Sequence, residues 1–119
     1  MIIESVTHRS ISAKIDSLDF ERINTYIQGA VYCWCKNVKD NNGENLWFIA
    51  SDLFGGENFF WEGTPLYVLY NWHLQNGASD PVNMAGRDVG HILKSLIDKD
   101  PRVFHTRPGR RREYLWTGN

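Results

Sequence analysis

Apolar residues recur every three or four positions along the first part of the chain. The residues that share this face are Ile23, Ile27, Val31 or Ala30, Trp34 and Val38. This spacing predicts an amphipathic helix over residues 18–38. Asp19 lies near its N-terminus, where the helix dipole favours a carboxylate. The turn-forming run at residues 39–43 predicts where the helix ends.

Short apolar runs alternate with turn formers in the middle of the chain. Residues 46–49 predict a short strand or the lead into a helix, and Ser51 or Asp52 can cap a brief helical turn that ends at residues 55–56. Three consecutive aromatic residues, Phe59, Phe60 and Trp61, follow in a predicted loop. Such a run either fills a core between helices or offers a platform on which bases stack.

Two proline-started helices are predicted next. Thr64 and Pro65 are suited to the N-cap and first position of a helix over residues 64–76, which Gly77 ends. Asp80 and Pro81 repeat this chemistry, and helical spacing then continues as far as Lys99. We expect Gly86 to divide this stretch into a short turn and a main helix over residues 87–99.

The end of the chain predicts a β-hairpin with an arginine-rich tip. Strand-like residues 103–104 and 114–116 flank a turn at Pro108 and Gly109. At the other end, residues 1–17 are predicted to form a tail or short strand, so the main domain spans residues 18–119.

Length and composition favour one domain with its own core. The chain has 119 residues, of which 42% are hydrophobic, so disulfide or metal staples are not needed. No apolar run is long enough to span a bilayer and residues 1–10 do not resemble a signal peptide, so we expect a cytoplasmic protein without a membrane partner. Cys33 and Cys35 are too close to staple the fold, and we expect reduced thiols, at least one of them packed.

Catalytic and metal-binding motifs are not evident in the sequence. It contains no phosphate-binding loop, dinucleotide fingerprint, nucleophile elbow or zinc-protease motif. His91 and His105 have no partner at ligand or catalytic spacing. We therefore expect neither enzyme activity nor a cofactor or metal, and keep a nucleic-acid enzyme only as a third hypothesis.

Charge is divided unevenly along the chain, although the net charge is only −1. Residues 1–86 carry five cations and ten carboxylates, whereas residues 87–119 carry eight cations and four carboxylates. This division favours a polyanionic partner for the C-terminal part.

The predicted order is helix, short strand, short helix, two helices and hairpin. Over residues 18–116 this order resembles the winged-helix class of helix-turn-helix domains, with residues 64–76 as the first helix of the pair, 87–99 as the recognition helix and 102–116 as the wing. The resemblance implies a mainly helical α+β domain that binds double-stranded DNA, with the recognition helix in the major groove and the arginine-rich wing on phosphates or in the minor groove.

The candidate contacts lie on the predicted recognition helix and wing. Asp88 and Asp98 are also expected on the outer face of that helix, where they would repel phosphate. On the wing, strand alternation would place Arg110 and Arg112 on one face and Arg111 on the other, unless the turn includes Arg111. The candidate DNA-binding residues are Asn83, Arg87, His91, Lys94, Ser95, Arg107, Arg110, Arg111 and Arg112.

The function predicted first is that of a small DNA-binding transcriptional regulator. The alternative is a winged-helix module for protein docking, favoured by the acidic first part and the aromatic loop. The sequence does not separate DNA from RNA binding. It also allows a homodimer through Tyr26, Cys33 and Trp34 on the first helix.

Overall fold

The computed structural model describes residues 11–55 and 60–119. A helical turn at residues 11–14 leads into the first long helix. The elements that follow are α1 (Ser17–Asn37), α2 (Ala50–Phe54), α3 (Tyr67–Gln75), α4 (Pro81–Lys99), β1 (Phe104–Arg107) and β2 (Glu113–Trp116). The protein is thus a mainly helical α+β domain with a C-terminal hairpin, as the sequence predicts.

Helix α1 begins one residue before its predicted start. The side chain of Asp16 accepts a hydrogen bond from the Leu18 amide at 2.7 Å and caps the helix. The buried stripe consists of Ile23, Ile27, Val31 and Cys35. Cys35 therefore takes the core position expected for Trp34, which lies one residue earlier and is only partly buried.

Helix α3 begins three residues later than the sequence predicts. Thr64 caps a turn instead of the helix: its hydroxyl donates to the Trp61 carbonyl at 2.8 Å and accepts from the Leu66 amide at 3.3 Å. Thr64 and Pro65 thus start a tight turn, and the α-helix follows from Tyr67.

Helix α4 is continuous from Pro81 to Lys99, so the predicted division at Gly86 is wrong. Asp80 caps the helix by accepting from the Asn83 amide at 3.1 Å. A single buried stripe then runs the length of the helix, formed by Ala85, Val89, Ile92, Leu93 and Ile97. Burial of this stripe outweighs the helical cost of Gly86 and Gly90, which is about 1 kcal/mol each relative to alanine.

Phe48, a residue of the predicted first strand, forms a β-bridge with the second strand of the hairpin. Phe48 and Tyr114 exchange two backbone hydrogen bonds of 2.9 Å and are both buried. Within the hairpin, Phe104 pairs with Trp116 and Arg107 pairs with Glu113. Residues 108–112 form the connecting loop and lie outside both strands, so strand alternation does not set the directions of Arg110, Arg111 and Arg112.

The segment before α1 differs from its prediction where the structure describes it. Residues 11–14 are helical and Ile11 is buried in the core, in place of the tail or strand expected over residues 1–17. Residues 1–10 lie outside the described residues. No helix in the described ranges combines the length and the apolar character needed to cross a membrane.

Candidate nucleic-acid interface

A cleft of about 820 Å³ lies between α4, α2 and the loop of the hairpin. Its apolar floor includes Trp61, Leu93 and Tyr114, which belong to the core. Trp61 is held by a hydrogen bond of 2.8 Å from its indole nitrogen to the Phe54 carbonyl. The cleft walls are therefore fixed to the same core that holds the helices together.

Seven of the nine candidate residues line this cleft, coming from two separate parts of the chain. Those on α4 recur at helical spacing, which places them on one face. The others belong to the hairpin loop. The seven residues are Asn83, Arg87, His91, Lys94, Arg110, Arg111 and Arg112.

Ser95 does not line the cleft. The prediction that Asp88 lies on the outer face of the helix is wrong. The Asp88 carboxylate lies 2.6 Å from Nε2 of His73 on α3, with side-chain exposures of 15% and 5%. Ser95 follows Asp88 by seven residues, or about two helical turns, and so lies on the same side of α4. The inward turn of Asp88 removes a carboxylate from the surface that carries Arg87.

Arg107 also lies outside the cleft. Its guanidinium is 4.0 Å from the centre of the Trp47 ring and forms a 2.7 Å ion pair with Glu113, the residue opposite it in the hairpin. The hydrogen bond between them raises the pKa of Arg107 and lowers that of Glu113. The charge of Arg107 is thus offset by Glu113 within the hairpin.

The loop arginines differ in how they are held. Nη1 of Arg111 donates to the Ser51 hydroxyl of α2 at 3.0 Å, which fixes the loop near α2, and no carboxylate of the described residues pairs with its charge. Within the described ranges, Arg110 and Arg112 are exposed and have no ion pair. These three side chains therefore present their charge to the cleft.

The cleft is electropositive among the residues described. Five cationic side chains and one carboxylate, Asp80, line it. Lys94 is bound to Asp98 at 2.8 Å, which offsets one of these charges. Asp80 caps the start of α4, so a carboxylate already occupies the helix end that an anion would otherwise favour.

Arg102, counted in the basic C-terminal part, has a structural role. Its guanidinium makes bonds of 2.9 and 2.6 Å to Asp100, whose side chain is 1% exposed. Gln28 of α1 donates to the same carboxylate at 2.7 Å. The charge division along the sequence therefore overstates the charge available to a partner.

The aromatic loop is divided between core and surface. Trp61 is buried, Phe60 is 82% exposed, and Phe59 lies outside the described residues.

The residues of α1 named for a homodimer differ in their exposure. Trp34 contacts Phe48 and donates to the Leu46 carbonyl, whereas Tyr26 and Cys33 are exposed.

The thiols have the predicted packing. Cys35 is buried, and burial raises its pKa, while Cys33 is exposed.

Among the described residues, no group of three or more His, Cys, Asp or Glu side chains is placed to hold a metal ion. No family model, curated protein or solved structure matches this chain.

Proposed function

We propose that the protein binds nucleic acid in the cleft between α4 and the hairpin loop. The observation that carries this proposal is the convergence of Arg87 and Lys94 on α4 with Arg110, Arg111 and Arg112 of the loop on one cleft. Arginine is well suited to phosphate because its guanidinium can donate two parallel hydrogen bonds. The polar side chains of α4 add groups that can contact base edges.

The element order supports a more specific form of this proposal. A helix pair, α3 and α4, is followed by a hairpin, and Phe48 extends the hairpin by one bridge. By resemblance to winged-helix domains, the partner is double-stranded DNA and the role is that of a small transcriptional regulator, with α4 as the recognition helix.

Fluorescence anisotropy tests the proposal with random duplex DNA at two salt concentrations. The triple variant R110A/R111A/R112A should bind more weakly, and the dependence of log K on log salt should become shallower by about one unit for each phosphate interaction that is removed. The matched control, R22A/K36A/K99A, removes three cations that do not line the cleft. It should retain most of the affinity.

Equal losses in the two triple variants would contradict the cleft as the binding site. If the wild-type protein has no affinity for duplex, single-stranded DNA or RNA at low salt, nucleic-acid binding itself is wrong. The docking-module alternative would then be the hypothesis to pursue.

A further inference from the structure

Two glycines of α4 open onto the cleft at positions where the isolated protein does not need glycine. Gly86 and Gly90 lie one helical turn apart, and both line the cleft. A Cβ atom built on either would meet nothing within 4 Å, and neither residue has a positive φ. Alanine would therefore fit at both positions and favour the helix, since glycine is the poorer helix former.

Cations flank this bare strip of helix from both sides of the cleft. Arg87 lies beside the glycines on α4, whereas Arg110 and Arg112 belong to the facing loop. These three side chains are exposed and have no ion pair within the described ranges. A ligand that contacts both walls at once is therefore favoured if it carries negative charge at more than one point along its length.

The size of the cleft limits such a ligand further. Its volume of about 820 Å³ is in the range of small-molecule pockets, roughly 300–1,000 Å³. A volume of this size accommodates a few nucleotides of one strand and is too small to enclose a turn of duplex. Because Gly86 and Gly90 have no side chains, a strand that passes over them can bring its phosphates close to the surface of α4.

We propose that one sugar–phosphate strand runs through the cleft, passing over Gly86 and Gly90 between α4 and the hairpin loop. This inference rests on the proposed function and specifies how that site holds its ligand. The strand is either one of the two strands of a duplex or a single-stranded segment, since both present the same backbone chemistry.

The double variant G86A/G90A tests this inference, with G29A as its control. Gly29 is an exposed glycine of α1 where an added Cβ would also meet nothing within 4 Å, and it does not line the cleft. Both variants should melt at a higher temperature than the wild type. Only G86A/G90A should lose affinity, by about tenfold, which corresponds to about 1.4 kcal/mol. The bulkier G86L/G90L should bind still more weakly.

Two probes of the same sequence, a single-stranded oligonucleotide and its blunt duplex, distinguish the sources of the strand. Tight binding of the duplex, weakened by G86A/G90A, supports one strand of a duplex. Binding of the single-stranded probe alone, weakened in the same way, supports a single-stranded ligand. If the wild type binds a probe and G86A/G90A binds that probe with the same affinity as the wild type, this inference is overturned while the proposed function stands. If the wild type binds neither probe, the proposed function fails and this inference with it.

Discussion

Asp100 shows how one residue can join the two ends of the fold. It accepts hydrogen bonds from Gln28 of α1 and from Arg102, just before the hairpin. The Arg102 guanidinium also lies 4.9 Å from the Tyr32 ring centre and 5.7 Å from that of Phe104. Hydrogen bonding by Arg102 lowers the pKa of Asp100 from 3.8 to about 2, against the opposing effect of burial.

This carboxylate should make the free energy of unfolding depend on pH in acid. Because its pKa is lower in the folded protein, its stabilising effect is present above pH 3.8 and is lost as the pH falls through about 2. The shift corresponds to roughly 2 kcal/mol. Urea unfolding between pH 5 and pH 2 should show this loss in the wild type and a shallower one in D100N. Parallel curves for the two proteins would contradict the assignment.

At the scale of elements, α3 and α4 are joined by a polar contact within an apolar interface. His73 is buried, and its Nε2 atom lies 2.6 Å from the Asp88 carboxylate. Buried polar groups are costly unless they are paired, so each of these side chains depends on the other. The pair helps to fix the rotation of α4, and hence the face that α4 presents to the cleft.

Substitution D88A should therefore destabilise the protein, although the sequence places this residue among the polar positions of an amphipathic helix. It leaves His73 buried without its partner, a cost of about 1–3 kcal/mol. The control D98A removes an exposed carboxylate of the same helix, whose ion pair with Lys94 is worth roughly 0–1 kcal/mol. Urea unfolding at pH 7 compares the two. A loss in D98A as large as in D88A would refute the role of the buried pair.

The elements themselves were largely predictable because their signals are local. Helical spacing indicates α1 and α4, and Pro108 with Gly109 indicates a hairpin turn. The errors arise where tertiary contacts override local preference. Gly86 does not interrupt α4 because the buried stripe on either side of it is continuous, and Thr64 caps a turn because its hydroxyl also bonds to Trp61.

The candidate site was predictable in part, for the same reason. Helical spacing correctly groups Arg87 with Lys94, but it gives no indication that Asp88 pairs with His73, fifteen residues earlier. Similarly, the sequence does not show that the loop containing Arg110 would face α4, because that depends on the long-range bridge between Phe48 and Tyr114. Gly86 and Gly90 are visible in the sequence, but the sequence does not show that both line a cleft.

At the scale of the whole molecule, the distribution of free charge matters more than its total. The chain has a net charge of −1, so it has no general attraction to polyanions. Of the eight cations in residues 87–119, Lys94, Arg102 and Arg107 are held in ion pairs with Asp98, Asp100 and Glu113. Lys99 does not line the cleft. The cations left to the cleft are Arg87, Arg110, Arg111 and Arg112.

This distribution limits the salt dependence that we expect for the proposed binding of DNA. Duplex DNA releases about 0.9 counterion for each phosphate neutralised, so four arginines predict a log–log slope no steeper than about −3.6. Use of all eight C-terminal cations would give roughly −7 by the same rule. Substitution D98A frees Lys94 at the edge of the cleft and should steepen the slope by up to about one unit while raising affinity. Anisotropy titrations across a salt series measure both slopes. A wild-type slope near −7 would place the contacts beyond the cleft, since three of the eight cations would have to leave their carboxylate partners to make them.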